Sequence, residues 1–256
     1  MPRVNALGVA TLVRMELRRY LDGWQYAILA PVLTTLLFFA IFALALGGDR
    51  TPVLGLPFFH FLAPGLVAMT AMSTAFEAAG WTAIDAKVSG TMDVLLAAPL
   101  RPSELVAGFL AAALCLALVN GLLVAVTMQL FVALPPVDGA AMLAHLVLGS
   151  LLFAVIGLLA GLWATKFDHV ATVQNFVVAP AVFLSGAFFP VADYGWGLDR
   201  AMQANPAFWA IDGVRRGFTG TGEADPALAL PLLAAVVAAG VLFCCRAVAA
   251  GWKLKR

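Results

Sequence analysis

Residues 105–133 read LVAGFLAAALCLALVNGLLVAVTMQLFVA, a stretch without a single charged side chain. A helix of about 20 apolar residues is long enough to cross the roughly 30 Å of hydrocarbon in a bilayer. The stretch is too long and too uniformly apolar for a barrel strand, and a lipid-facing backbone must satisfy its own hydrogen bonds. It therefore predicts a transmembrane helix.

Further apolar runs flank this stretch, and polar or Gly/Pro-rich segments separate them. The six predicted spans are approximately 26–46, 60–80, 105–133, 141–164, 170–190 and 227–250. The chain has 63% hydrophobic and only 11% charged residues, against about 25% charged residues in an average water-soluble chain. The predicted fold class is therefore all-α integral membrane: a six-helix transmembrane domain over 26–250, an N-terminal segment 1–25 and a basic tail 251–256.

Composition and motifs also exclude several classes of function. A net charge of +1 gives no signal for a nucleic-acid partner. The three histidines lie far apart and the three cysteines lack ligand spacing, so we expect neither a metal nor a cofactor. No stretch matches G-x-x-x-x-G-K-[ST], H-E-x-x-H or G-x-S-x-G. The chain therefore cannot bind ATP through a P-loop of its own.

The placement of lysine and arginine predicts the orientation in the membrane. With the N-terminus in the cytoplasm, the inner segments hold eleven of the 15 basic residues and the outer segments hold four, as the positive-inside rule requires. Both termini are then cytoplasmic, in a multi-pass protein of the cell (inner or plasma) membrane. Within residues 6–24, leucines at spacings of four to five among arginines predict an amphipathic helix on the inner surface. The alternative is a plain extension of the first span.

The inner loop between the second and third spans is the most informative inner segment. Residues Thr91 to Ala98 predict a short helix that ends before Pro99. Leu95 and Leu96 would then be apolar side chains on a cytoplasmic loop, and such a patch favours a protein partner. The alternative is that this patch packs against the chain's own inner helices.

Two features inside the spans leave alternatives open. Glu77 lies near the inner end of the second span, and a charge at mid-membrane costs about 2.5–3.5 kcal/mol. Its side chain either reaches water or makes a polar contact within the bundle or at a dimer interface. Gly157 and Gly161 form a small-xxx-small pattern, which favours close helix approach, either inside the bundle or along a dimer seam.

The last outer segment, about 187–226, contains seven aromatic residues together with several charges. So much aromatic surface would not be stable as a free loop in water. We therefore expect re-entrant or interface-lying helices packed over the bundle. These helices either cap the exit of a translocation path or anchor the protein at the membrane interface.

Four stretches, in this order, resemble the ABC-2 family of membrane permeases, and most closely its nodulation-factor exporter permease subgroup. They are PVLTTLLFF at 31–39, FLAPGL at 61–66, LLAAP at 95–99, and LSGAFFP at 184–190 with Asn205-Pro206 and IDGVR at 211–215. The resemblance covers nearly the whole chain. It implies a type V ABC exporter-like permease that pairs with a second permease copy, as a homodimer, and leaves ATP binding and hydrolysis to a separate ABC ATPase subunit.

The resemblance also implies roles for particular residues. The inner loop would act as a coupling helix on the ATPase, with Leu95 and Leu96 as anchors and Lys87 and Asp93 as a polar rim. The full candidate set for this loop is Lys87, Gly90, Thr91, Asp93, Leu95, Leu96 and Pro99. The outer re-entrant or gate region would comprise Gly186, Phe188, Phe189, Pro190, Asn205, Pro206, Asp212 and Arg215.

The expected function is thus that of a transport subunit and not of an enzyme. Membrane lipids and an amphipathic or lipid-like substrate are its other expected partners. Two alternatives come from other classes: an intramembrane lipid-modifying enzyme and a non-transporting membrane assembly factor. Both are weaker because few polar residues lie within the spans and no nucleophile pairs with a base in sequence.

Overall fold

The computed structural model describes residues 5–46, 52–193, 195 and 197–253, and the side chains of 45 and 46 are not described. Residues 1–4 of the predicted N-terminal segment and 254–256 of the predicted basic tail thus lie outside the described residues. The described residues are almost entirely helical, and six of the helices are long and apolar enough to cross a membrane. The expected fold class is therefore confirmed.

The chain order of the helices is simple. Helix α1 covers Ala6–Asp22, α2 Ala30–Leu46, α3 Phe58–Val88, α4 Thr91–Ala97, α5 Pro102–Met128, α6 Gly139–Trp163, α7 Phe167–Val173, α8 Ala179–Val182, α9 Leu198–Gln203, α10 Pro206–Thr219 and α11 Pro226–Ala249. A π-helical turn at Gln25–Leu29 leads into α2. A second π-helical turn at Gln174–Val178 joins α7 to α8, and a third at Phe183–Ala187 follows α8, so that together they form one irregular span.

Short polar side chains fix where several helices begin. Asn5, Asp138, Asn205 and Asp225 each accept a hydrogen bond from a backbone N–H in the first turn of α1, α6, α10 and α11, respectively. Such N-caps satisfy donors that a helix leaves unpaired at its start. The second span differs most from its expected bounds, because α3 runs on to Val88 and includes the segment predicted as the start of the inner loop.

Helices α3 and α6 form the centre of the bundle. A Cβ atom on Gly157 would lie 2.3 Å from the carbonyl oxygen of Phe76, and one on Gly161 would lie 2.5 Å from that of Gly80. The glycine pattern on α6 therefore serves internal packing against α3 and not a dimer seam.

Burial differs sharply between the centre and the flanks of the bundle. In the most apolar part of α3, 78% of the residues are buried, against 11% for the first span and 22% for α11. The first and last spans therefore present apolar faces to their surroundings. In a membrane protein such faces meet lipid or another membrane-embedded chain.

Candidate functional site

Helix α4 stands apart from α3 at one end of the bundle, called here the α4 end. Gly90 separates the two helices with a left-handed backbone, at φ of 80°, a conformation that glycine adopts without steric cost. The Ser89 and Thr91 hydroxyls lie 2.9 Å apart at the same turn. Ala98, extended at ψ of 152°, ends α4 before Pro99. The predicted short helix of the inner loop is therefore present.

Helix α4 has an inner face, which contacts the bundle, and an outer face, which points away from it. Met92 is buried and Leu95 packs against the hydrophobic core. Val94 and Leu96 point outward, with 69% and 38% of their surface exposed, and Asp93 is exposed beside them. The alternative of packing against the chain's own helices thus applies to the face of Met92 and Leu95, whereas the opposite face stays exposed.

Two of the predicted residue roles need correction. Leu95 was expected as an outward anchor, but it is half-buried against the chain's own helices. Val94, which the sequence reasoning missed, is the more exposed side chain. The spacing of Met92 and Leu95, three residues apart on one helical face, was the signal that could have assigned Leu95 to the interior.

Lys87 is the second correction, because it was expected on the polar rim of the loop. It lies in the last turn of α3 and is buried. Its Nζ donates hydrogen bonds to the carbonyl oxygens of Leu162, at 2.6 Å, and of Ala164. These carbonyls end α6, where a positive charge complements the helix dipole. Lys87 therefore ties the base of the α4 segment to the end of α6.

The N-terminal helix α1 also lies at the α4 end. The Asn5 side chain donates to the carbonyl oxygen of Pro99 at 3.2 Å, and its backbone N–H donates to Glu104 at 2.9 Å. Leu12 is buried against α5, whereas Leu7 and Leu21 are exposed. Helix α1 is thus a separate amphipathic helix held against the bundle, and not a plain extension of the first span.

A charged cluster joins α1 to α3. Arg19 forms ion pairs with Glu16 at 3.0 Å and with Asp85 at 2.9 Å. The Glu16 carboxylate also accepts a hydrogen bond from the Thr82 hydroxyl at 3.3 Å. Burial raises the pKa of Glu16 above its ordinary value even though Arg19 opposes the shift. These contacts hold α1 in a fixed position beside α3.

Glu77 makes a polar contact within the bundle, one of the two alternatives expected for it. The Gln174 side chain donates a hydrogen bond to its Oε1 atom and so links α3 to the π-helical turn of the fifth span. The carboxylate is half-buried. It lines two neighbouring cavities of about 260 and 300 Å³, which lie beside the start of the first span.

The opposite end of the bundle, called here the α10 end, is built around a wholly buried ion pair. Arg215 Nη1 lies 3.4 Å from Asp212 Oδ1 on α10. Arg215 also donates to the carbonyl oxygens of Phe61, at 3.3 Å, and of Gly186, and its guanidinium lies 3.9 Å from the centroid of the Phe61 ring.

The Asp212 carboxylate accepts hydrogen bonds from the backbone of Glu223 at 3.0 Å and of Ala224 at 2.9 Å. This network joins α3, the fifth span, α10 and the approach to α11.

The chain turns back on itself after the fifth span. Gly186 has a φ of 77°, and the Asn205 side chain returns to donate to the Ala181 carbonyl oxygen at 3.0 Å and to the Ser185 hydroxyl at 2.8 Å. Pro206 occupies the first turn of α10, where its missing N–H costs nothing. Helix α10 then packs against α3, α6 and α11. The segment predicted to be re-entrant therefore packs back against the bundle.

Aromatic side chains line a cavity of about 590 Å³ beside this turn. Phe188 is buried and stacks on Phe183 at 5.3 Å, whereas Phe189 is exposed and Pro190 is buried.

Glu223, which the sequence reasoning did not single out, accepts hydrogen bonds from the backbone of Val191 at 3.0 Å and of Ala192 at 2.8 Å. The predicted outer residues are thus brought together, but Asp212 and Arg215 form an internal network and not an exposed surface.

Metal chemistry finds no support in the described part of the chain. Within residues 5–46, 52–193, 195 and 197–253, no cluster of three or more His, Cys, Asp or Glu side chains could hold a metal ion. Together, six helices that can cross a membrane, a short helix with an exposed apolar face at one end and a segment that packs back on the bundle at the other define the class of a membrane transport permease.

Comparison with known proteins identifies the family. The model of the ABC-2 type transporter family matches residues 8–219, so the chain belongs to that family. It is 28% identical over 232 residues to the inner membrane transport permease YadH of Escherichia coli (strain K12), with 90% of each chain covered. It is 34% identical over 183 residues to nodulation protein J of Sinorhizobium fredii, with 68% of this chain and 69% of that protein covered.

Membership confirms two of the expectations from sequence. The resemblance to ABC-2 permeases, including the nodulation subgroup, is confirmed. Permeases of this family are membrane subunits without an ATPase domain of their own, so the chain is a transport subunit and not an enzyme. It is therefore a multi-pass membrane protein of the transport permease type.

Proposed function

We propose that this chain is the permease subunit of an ABC exporter and that it couples through α4 to a separate ATPase subunit, which binds and hydrolyses ATP. The observation that carries this proposal is the outer face of α4. Val94 and Leu96 are exposed apolar side chains next to the exposed charge of Asp93, on a helix whose other face is anchored in the bundle. An apolar centre with a polar rim is the composition of a protein-binding surface.

The attachment of α4 supports a role in transmitting force. Met92 anchors its inner face, Lys87 ties its base to the end of α6, and Asn5 holds the Pro99 link that follows it. A push on the outer face of α4 would therefore reach α1, α3 and α6 together. ATP can drive such a movement only through its different affinity for the two states of the complex.

The orientation follows from the same assignment. The α4 end lies in the cytoplasm together with both chain termini, in the inner or plasma membrane. The exposed Arg14 and Arg18 on α1 would lie near anionic lipid headgroups. The α10 end then faces outward, and the re-entrant segment closes the exit of the path.

The translocation path is formed by two copies of the chain. The first span buries only 11% of its most apolar part within one copy, and α11 buries only 22%. One such face suits a second permease copy and the remainder suits lipid. The cargo leaves the cytoplasm through the path between the copies, and the apolar character of the spans fits an amphipathic or lipid-like substrate.

Co-purification tests the coupling surface directly. The tagged chain is co-expressed with a candidate ATPase from the same genome and extracted in mild detergent. We expect the ATPase to co-purify with the wild type and to be lost from the double variant Val94→Asp, Leu96→Asp. The matched control is Val137→Asp, since Val137 is equally exposed, at 72%, but lies at the α10 end.

The possible outcomes of this experiment test the docking surface and the exporter assignment separately. Retention of the ATPase by the double variant would show that α4 is not the docking surface. Loss from Val137→Asp as well would show a general effect of the added charge. If no candidate ATPase co-purifies with the wild type, the assignment as an ATP-driven exporter fails.

A further inference from the structure

Glu77 is a carboxylate inside a membrane span with no positive partner in the described part of the chain. The nearby cation Arg19 pairs with Glu16 and Asp85, and the buried Arg215 pairs with Asp212. Gln174 donates a hydrogen bond to Oε1 of Glu77, and no described residue donates one to Oε2. An ionised carboxylate that is half-buried in this way lacks the cationic partner that buried charges normally have.

The carboxylate stands where two cavities meet. The cavities, of about 260 and 300 Å³, share the lining residues Tyr26, Pro31, Thr74 and Glu77. One extends towards α1 and Trp81, and the other extends along the faces of α2 and α3. Together they provide room for a small organic molecule with Glu77 at its midpoint.

The remaining lining favours a positive charge with an apolar body. Tyr26 and Trp81 line the same cavity as Glu77, and aromatic side chains of this kind attract cations. Pro31 and Leu116 offer apolar contacts there. Arg19 also borders this cavity, but Glu16 and Asp85 already neutralise its guanidinium.

We propose that Glu77 is the recognition residue of a binding site for a lipophilic cation, such as an amphiphile with a quaternary ammonium group. The cation would supply the missing partner of the carboxylate, and its apolar part would lie between the first span and α3. An anion of the same shape would be repelled. This inference rests on the proposed transport function and narrows its substrate class to cationic compounds.

Binding of two ions of matched shape tests the site. Tetraphenylphosphonium is a lipophilic cation, and tetraphenylborate is an anion of nearly the same size. The permease is reconstituted in lipid nanodiscs with its co-purified ATPase, and the binding of each ion is measured by equilibrium dialysis. We expect Glu77→Gln, which keeps a hydrogen-bonding partner for Gln174, to weaken binding of the cation about tenfold or more, equivalent to about 1.4 kcal/mol.

The control variant is Asp168→Asn, which makes the same change of charge at an exposed position in the first turn of α7. It should leave the affinity for the cation unchanged, and the anion should bind no more tightly to the wild type than to Glu77→Gln. Equal affinity of the wild type and Glu77→Gln for the cation would overturn the proposal, as would no binding by the wild type. Because the ATPase is retained in the preparation, either of these results leaves the transporter assignment standing.

Discussion

At the α10 end of the bundle, Arg215 and Asp212 are wholly buried and bound to the backbone of three other segments. At the α4 end, the outer face of α4 instead leaves Asp93, Val94 and Leu96 exposed. At the α10 end, the charged side chains therefore bind other parts of the same chain and fix its geometry. At the α4 end, the exposed side chains remain accessible, as a docking surface for another subunit requires.

The two ends also differ in how they are attached to the rest of the bundle. The Arg215 network crosslinks the re-entrant segment to α3, so movement there must break or carry several hydrogen bonds together. Helix α4 is held mainly by Met92 on its inner face and by Lys87 at its base. Under the proposed coupling, a force applied at α4 would pass along α3 and α6 towards the α10 end.

The largest predicted effect is at the α10 end. Replacing Arg215 by Met leaves the Asp212 carboxylate buried without its cation, which should cost about 3–5 kcal/mol. The measurement is thermal unfolding of the detergent-solubilised protein, followed by fluorescence-detected size exclusion. Arg200→Met is the control, since Arg200 is exposed on α9 and should change stability by less than about 0.5 kcal/mol.

A double variant sharpens this prediction. Asp212→Leu with Arg215→Met removes both charges and should be less destabilised than Arg215→Met alone, because no unpaired charge remains in the interior. If Arg215→Met and Arg200→Met unfolded at the same temperature, the buried network would not hold the α10 end together.

A smaller effect is expected from close packing at the same end. A Cβ atom on Gly65 would lie 2.3 Å from the carbonyl oxygen of Ala187, where α3 meets the re-entrant turn. Gly65→Ala should therefore force the two segments apart and cost about 1–3 kcal/mol. Gly139→Ala is the control, because nothing lies within 4 Å of that position. Equal unfolding temperatures for the two variants would contradict the close contact.

The two ends also differ in how far the sequence predicted them. Six apolar runs predicted the membrane spans because length and hydrophobicity alone decide whether a helix can cross a bilayer. The short helix from Thr91 was predicted from a local signal, because Pro99 stops it. Its two faces were not assigned, although the three-residue spacing of Met92 and Leu95 places these two side chains on one face.

Long-range contacts account for the rest of what sequence reasoning missed. Lys87 looked like a loop residue, but α3 continues past it and its partners lie at the end of α6, more than 70 positions away in the chain. Arg215 looked like an outer-surface charge, but it meets Phe61 and Gly186 from two other spans. No local pattern in one sequence contains these pairings.

The central claim is that the outer face of α4, and not the α10 end, docks on the ATPase. A photo-crosslinking amino acid at Val94 or at Val137 tests it, since both positions are exposed valines at opposite ends of the bundle. We expect irradiation of membranes that contain both subunits to join the permease to the ATPase from position 94 only. Crosslinking from position 137 with none from position 94 would contradict it.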